Sequence, residues 1–328
     1  MIASRRVALA SLLAAAITLG VSAPTPALAQ AAYPNKPIQL VIPYPPGGSD
    51  VLARKLVIGM SQALGQTIVV VNKPGASTQV ASAFVAAAAP DGYTLYFANP
   101  GELAAGPSFF KSIPFNALTD FTLISYVADA PFVLVVSNEF PAKTVPELVT
   151  YAKANPDKVK FGSYGVQSQP DIAGRRFNLA YDTKAPIIPY QGGAPSLNAI
   201  VRNEVQLLFP TLIASRPFIV NGQMRPLAIA AEQRVPLYPD VPTFRELGVD
   251  LVDAASFGLM GPKGLPPEIV KRLNEVLLDE LKKPEIKAYL DSLGIVPVGS
   301  TPEGFASRLK TMTDYWTAQA PKLGVEKQ

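Results

Sequence analysis

The sequence predicts an α/β protein in two lobes. Strand and helix signals alternate from Ile38 onward, the pattern of helices layered on a sheet. The first three units run strand, turn, helix, so their loops gather at one edge of a sheet, where open α/β sheets bind ligands. A β-rich run over residues 121–137 then separates this block from a second one on the same plan, and its length suits a strand crossing between lobes.

Taken in order, Ile38–Ile42 reads as a buried strand. It breaks at Pro43-Tyr44-Pro45-Pro46-Gly47-Gly48 and delivers Ser49 and Asp50 to an amphipathic helix over 51–64, closed by Gly65, with Asp50 favoured as its cap. A strand over 67–71 ends in Asn72-Lys73-Pro74-Gly75 and leads to a helix over 77–88. A third strand over 93–98 ends at Asn99-Pro100-Gly101. Thr144 with Glu147 marks a capping box for a helix to residue 154. The second block runs strand 159–163, helix 168–179, strand 186–189, helix 194–203, strand 205–209, helix 214–220 and strand 225–231. Residues 256–260 are a second crossing candidate. Helices follow at Pro267–Lys282, Pro284–Leu293 and 301–320, the last opened by Thr301 with Pro302 at its first position. Its apolar residues, Trp316 among them, are expected against the first lobe. The lobes are expected over 33–130 with 258–328, and over 131–257.

The first 29 residues read as a signal peptide. Arg5-Arg6 is a short basic segment, residues 7–21 an apolar core, and Ala27-Leu28-Ala29 a small-x-small cleavage signal before Gln30. No cysteine follows the apolar core, so a lipid anchor is excluded, and the expected location is the periplasm. Ser4-Arg5-Arg6 leaves the twin-arginine route open beside the general one.

The chain has 328 residues, His 0 and Cys 0. That composition excludes a Ser-His-Asp triad, a cysteine nucleophile and any disulfide, and it removes the preferred ligands of zinc, copper and haem. Carboxylate chemistry or a Ser–Lys pair stays open in principle, but no motif for either stands out. The formal net charge of +4 includes Arg5 and Arg6, and the other basic residues are scattered, which argues against a nucleic-acid partner. The composition points to binding rather than catalysis, with no cofactor and no metal expected.

The Pro-Pro-Gly-Gly turn suggests what is bound. Two prolines stiffen the approach, and two glycines let the backbone come close to a ligand. The helix start beyond offers unpaired N–H groups and a positive dipole end, which suit a carboxylate. The alternative is a plain strand–turn–helix joint with a capping side chain and no ligand.

An ordered set of motifs resembles one family across essentially the whole chain after the signal peptide. The set begins with Tyr33-Pro34-Asn35-Lys36-Pro37-Ile38, Pro45-Pro46-Gly47-Gly48-Ser49 and Asn72-Lys73-Pro74-Gly75-Ala76. It continues through Ala89-Pro90-Asp91-Gly92-Tyr93-Thr94-Leu95, Phe161-Gly162-Ser163 and Pro189-Tyr190-Gln191-Gly192-Gly193. Tyr238-Pro239-Asp240-Val241-Pro242-Thr243 and Gly299-Ser300-Thr301-Pro302-Glu303 close it. Together they resemble the Bug family, the extracytoplasmic solute receptors of tripartite tricarboxylate transporters. The resemblance implies a two-lobed periplasmic binding fold, type II-like, with two crossover strands and a ligand cleft between lobes that close over the ligand. It also implies a small organic acid as ligand (a di- or tricarboxylate or an aromatic carboxylate), two integral-membrane transporter components as partners, and a monomer. Carried over residue by residue, the implied ligand-binding positions are Gly47, Gly48 and Ser49 on the first loop, Ala76 and Ser77 at the second helix start, and Asn99 on the third loop. Ser163, Gly165 and Ser168 form the Gly/Ser loop of the second lobe, with Tyr190 and Gly192 on the next.

Four departures touch these loops. One residue is missing before Asp50. The second loop reads Gly75-Ala76-Ser77-Thr78 in place of Gly-Ala-Gly-Gly. Gln169-Pro170-Asp171 stands where the family often has a histidine, and Phe209-Pro210-Thr211 where it often has Phe-Asp-Asn, which argues against an amino-acid ligand. Glu102 either points to solvent or selects a ligand with a donor group. Tyr190 reads equally as a core aromatic, and Arg175-Arg176 as a solvated helix face from which one Arg reaches a carboxylate. Two other functions fit the same features: a ligand-sensing periplasmic subunit of a two-component system, and an exported hydrolase.

Overall fold

Valine- and isoleucine-rich segments form the centre of two mixed sheets. In the computed structural model, which describes residues 33–75, 78–324 and 327, Lys36–Gln328 is one compact unit. The expected signal peptide, Ala76 and Ser77 lie outside the described residues.

The first sheet has six strands in the order β11-β4-β10-β3-β1-β2: β1 (Ile38–Ile42), β2 (Ile68–Asn72), β3 (Thr94–Ala98), β4 (Phe121–Pro131), β10 (Ala254–Pro262) and β11 (Val296–Pro297). β1 pairs parallel with β2 and β3, and β10 lies antiparallel between β3 and β4. Successive side chains face opposite sides of a strand, and the core divides accordingly. Leu40, Leu95, Phe97 and Leu259 meet helix α1 (Gly48–Leu64) and Leu277 of α8 (Pro267–Lys282). Val41, Tyr96, Ala98 and Met260 face the side covered by α2 (Gln79–Ala86), α3 (Pro100–Phe109) and α10 (Pro302–Gln319). Trp316 of α10 packs edge-on against Phe109 of α3, ring centroids 5.7 Å apart.

The second sheet has five strands in the order β7-β6-β8-β5-β9: β5 (Val133–Ser137), β6 (Phe161–Ser163), β7 (Ile187–Pro189), β8 (Leu207–Leu208) and β9 (Met224–Ile229). Leu134, Val136 and Phe161 join a cluster with Phe177 of α5 (Gln169–Tyr181) and residues of α4 (Val145–Ala154). Val133, Val135 and Leu208 pack on the other face with α6 (Gly193–Val201) and α7 (Leu212–Val220). The helix α9 (Pro284–Leu293) follows α8 in the tail.

The 121–137 run is two strands. β4 belongs to the first sheet and β5 to the second, so the chain crosses at the single residue Phe132. The return crossing lies at Asp253, beside Phe132: Phe132 N–H donates to Asp253 O, Asp253 N–H to Ala230 O, and Ala230 N–H to Phe132 O. Most expected elements appear within a few residues of their places, and Pro267–Lys282 and Pro284–Leu293 match at both ends. The first helix begins three residues earlier than expected, at Gly48. Asp50 therefore lies in its first turn rather than at its cap and pairs with Arg54 Nε at 2.8 Å, while Gly47 takes the cap position.

Candidate ligand site

Three strand–turn–helix joints of the first sheet and the β6–α5 joint of the second enclose a cavity of about 610 Å³, within the range of small-molecule sites. Five helices begin at its wall, marked by Ser49 of α1, Thr78 before α2, Gly101 of α3, Gln169 of α5 and Thr211 before α7. Each start contributes N–H groups without intrahelical acceptors and the positive end of a dipole. Three are capped by a side chain. Asn99 Oδ1 accepts from the N–H groups of Gly101 and Glu102, Ser168 Oγ from Asp171 N–H, and Thr211 Oγ1 from Ala214 N–H. The starts of α1 and α2 have no side-chain cap. Thr78 holds φ 74°, a left-handed conformation unfavourable for a β-branched residue. It stands where the resembling pattern has the last glycine of Gly-Ala-Gly-Gly.

Of the expected positions, Ser49, Asn99, Gly165 and Ser168 line the cavity; Gly47, Gly48, Ser163, Tyr190 and Gly192 do not. The Ser163 hydroxyl donates to Gly165 O at 3.2 Å and Ser168 Oγ to the same carbonyl at 2.7 Å, so both shape the β6–α5 turn. Tyr190 donates towards Glu204 Oε2 at 3.5 Å. Gly192, at φ 102°, makes the turn into α6, and Gly193 packs on the Tyr164 ring, where a Cβ would lie 3.4 Å from Cζ. Asn99 also links the two halves, its Nδ2 donating to Gln169 Oε1 at the start of α5 at 3.1 Å, while its Oδ1 accepts from Ser256 N–H of β10 in its own sheet at 3.3 Å.

Neither Arg175 nor Arg176 lines the cavity. Arg175 Nε pairs with Asp171 at 3.0 Å. Arg176 donates to the carbonyls of Asp250 and Val252 beside the return crossing and faces Asp253, whose carboxyl burial pushes up to about 6 although Arg176 opposes the shift.

Among the described residues, no lysine or arginine lines the cavity and Glu102 is its one charged group. Glu102 does not turn away to solvent. The Tyr44 hydroxyl donates to its Oε2 at 2.6 Å, and burial raises its carboxyl above the ordinary glutamate range while that hydrogen bond opposes the rise. Tyr164 also lines the cavity, and its buried hydroxyl has no partner. Its position directly after a strand, in a Ser-Tyr-Gly turn, was the available signal for it. Phe109, Phe110, Phe132, Phe257 and Trp316 make the apolar wall. Among the described residues there is no His/Cys/Asp/Glu group able to hold a metal and no helix long and apolar enough to cross a membrane.

Two α/β sheets joined by two crossings, with helix starts converging on a cavity between them, define the periplasmic binding fold of solute receptors. The chain belongs to the family described as "Tripartite tricarboxylate transporter family receptor", which it matches over residues 52–313. This is a family of receptors, not of enzymes. The chain is 32% identical over 312 residues to Protein BugT of Bordetella pertussis, covering 94% of this chain and 95% of BugT. Its fold matches Rpa4515 of R. palustris, solved with adipate, at a TM-score of 0.83 and 29% identity, covering 90% of this chain and 100% of that one. It also matches MatC of Rhodopseudomonas palustris, solved with bound malate, at 0.77 and 28%, covering 88% and 100%.

Proposed function

We propose that the protein is a periplasmic receptor that captures a small organic acid in the cavity between its sheets and delivers it to two integral-membrane transporter components. The carrying observation is the convergence of five helix starts on a cavity without lysine or arginine among its described lining residues. Such a wall holds a carboxylate by N–H groups and dipoles, without a cationic side chain. The acids bound by Rpa4515 and MatC agree with this reading. Ser49 with the uncapped start of α1 on one side, and Gly165, Ser168 and Tyr164 on the other, are the proposed contacts, and Ala76 and Ser77 extend the first group by resemblance. The expected lobes, 33–130 with 258–328 and 131–257, shift at their joins: Ala254–Phe257 lie in β10 of the first sheet, so the proposed boundaries fall at Phe132 and Asp253. The lobes close about the crossings at Phe132 and Asp253, the protein acting as a monomer exported by a cleavable signal peptide.

A thermal-shift panel on protein unfolded and refolded to strip bound ligand tests the reading. An acid at one hundred times its Kd is expected to add about 2.7 kcal/mol, several degrees at roughly 2–4 °C per kcal/mol, and the matching neutral amide to add nothing. Equal shifts with acid and amide would remove the carboxylate reading. Tyr164→Phe is the second test. Removing an unpartnered buried hydroxyl is expected to leave the unliganded protein as stable or about 1 kcal/mol more so, and to weaken the bound acid about tenfold. Unchanged affinity by calorimetry would show that this hydroxyl does not reach the ligand.

A further inference from the structure

The cavity is polarised in its hydrogen-bonding chemistry as well as in charge. Donors stand on several walls: the uncapped start of α1 at Ser49 and the dipole ends of the other helices. The patch formed by Tyr44 and Glu102 is the reverse. Tyr44 gives its one hydrogen to Glu102 Oε2, so with Glu102 ionised this patch presents acceptors to the cavity: the rest of the carboxylate and the phenol oxygen. No cationic side chain among the described lining residues neutralises it. The aromatic side chains of Phe109, Phe110, Phe257 and Trp316 line the same cavity. A ligand that satisfies all three surfaces has a carboxylate, a flat or alkyl body and a separate hydrogen-bond donor. A second carboxylate, as in adipate, would face Glu102 as a like charge.

We propose that Glu102, held by Tyr44, makes this receptor select a monocarboxylate with an apolar body and a separate hydrogen-bond donor, hydroxyl or ammonium. This rests on the organic-acid reading above and narrows it.

The test is calorimetric titration of refolded protein with four para-substituted probes: benzoate, 4-hydroxybenzoate, 4-(aminomethyl)benzoate and terephthalate, with citrate and adipate alongside. At least one donor-bearing probe is expected to bind about tenfold or more tighter than benzoate, with terephthalate weakest, and the better of the two identifies the donor as hydroxyl or ammonium. Glu102→Gln is expected to erase the ammonium advantage and bring terephthalate within about threefold of 4-hydroxybenzoate. Tyr44→Phe removes the hydrogen bond that opposes the upward push of burial on the Glu102 carboxyl, so it is expected to weaken the donor preference and decides the matter if Glu102→Gln does not fold. Terephthalate, citrate or adipate binding tightest to the unaltered protein overturns the proposal and leaves the organic-acid reading standing. An unchanged ranking in Glu102→Gln, or in Tyr44→Phe where Glu102→Gln does not fold, also overturns it. Binding of no acid of either kind removes both.

Discussion

Replacing Gly258 by alanine is expected to lower stability by about 2–3 kcal/mol and Tm by roughly 4–12 °C, at about 2–4 °C per kcal/mol for a chain of this size. Gly258 lies in β10 next to an irregularity in its pairing with β4, where Gly258 registers with Tyr126 and Phe257 with Ala128. Such irregularities bring one strand unusually close to what covers it. A Cβ here would stand 2.6 Å from Phe305 Cζ and 2.7 Å from Pro100 Cγ. Neither can retreat cheaply. Phe305 is fully buried and set edge-on to Tyr126 at 5.6 Å, and Pro100 is the first residue of α3, directly after the Asn99 cap. The added methyl group therefore moves α10 or the start of α3, and the second displacement reaches the cavity. Phe305→Leu in the same chain should recover part of the loss, so that the double variant is more stable than the sum of the two single changes implies. A Tm for Gly258→Ala within 1 °C of the unaltered protein would contradict this packing.

The fold was legible because each local signal agreed with the global plan. Strand runs such as Ile38–Ile42 and the second-sheet run through Val133 and Val135 are too apolar for surface segments. Helices such as Pro284–Leu293 carry Pro at the start and Gly294 at the left-handed end, so composition fixes both bounds. The helix Pro100–Phe109 was hidden for the opposite reason. Its sequence contains Gly101, Gly106 and Pro107, residues that argue against a helix, and what sustains it is the Asn99 cap and burial of Leu103, Ala104 and Phe109. Within the site, residues that turn a strand into a helix could be placed from sequence alone, because the joint itself has a signature; Ser49, Asn99, Gly165 and Ser168 are of this kind. Residues whose role depends on a distant partner could not. Tyr44 and Glu102 are 58 positions apart, and nothing in either segment announces the other. Gly193 shows the complementary limit: a Gly-Gly turn reads as a backbone approach to a ligand, and at Gly193 it is the Tyr164 ring that comes close.

Asn99→Ala is expected to cost about 2–4 kcal/mol and to weaken ligand binding, because one side chain serves both the helix and the joint between sheets. Its Oδ1 caps α3 through Gly101 N–H at 3.0 Å and Glu102 N–H at 3.4 Å, and accepts from Ser256 N–H on β10 at 3.3 Å. Losing a helix cap costs about 1 kcal/mol, and leaving the buried Ser256 N–H unpaired costs about 1–3 kcal/mol more. Asn99→Asp separates the two jobs. The carboxylate still accepts from the same three N–H groups, and it sits at a helix start where negative charge is favoured, so urea unfolding is expected to show a much smaller loss than in the alanine variant. The bridge to Gln169 fares differently. Asn99 Nδ2 now donates to Gln169 Oε1 at 3.1 Å, while Gln169 Nε2 donates to Ala254 O at 3.3 Å. With an acceptor in place of that donor, Gln169 must turn its amide and abandon Ala254, or leave two oxygens facing each other. Either way the contact between α3 and α5 loosens, and a second negative charge joins Glu102 at the cavity wall. Asp at this position should therefore hold most of the stability yet bind an acid at least about tenfold more weakly. Parallel losses of stability and affinity in both variants would mean that the Asn99–Gln169 bridge contributes nothing to binding beyond keeping α3 in place.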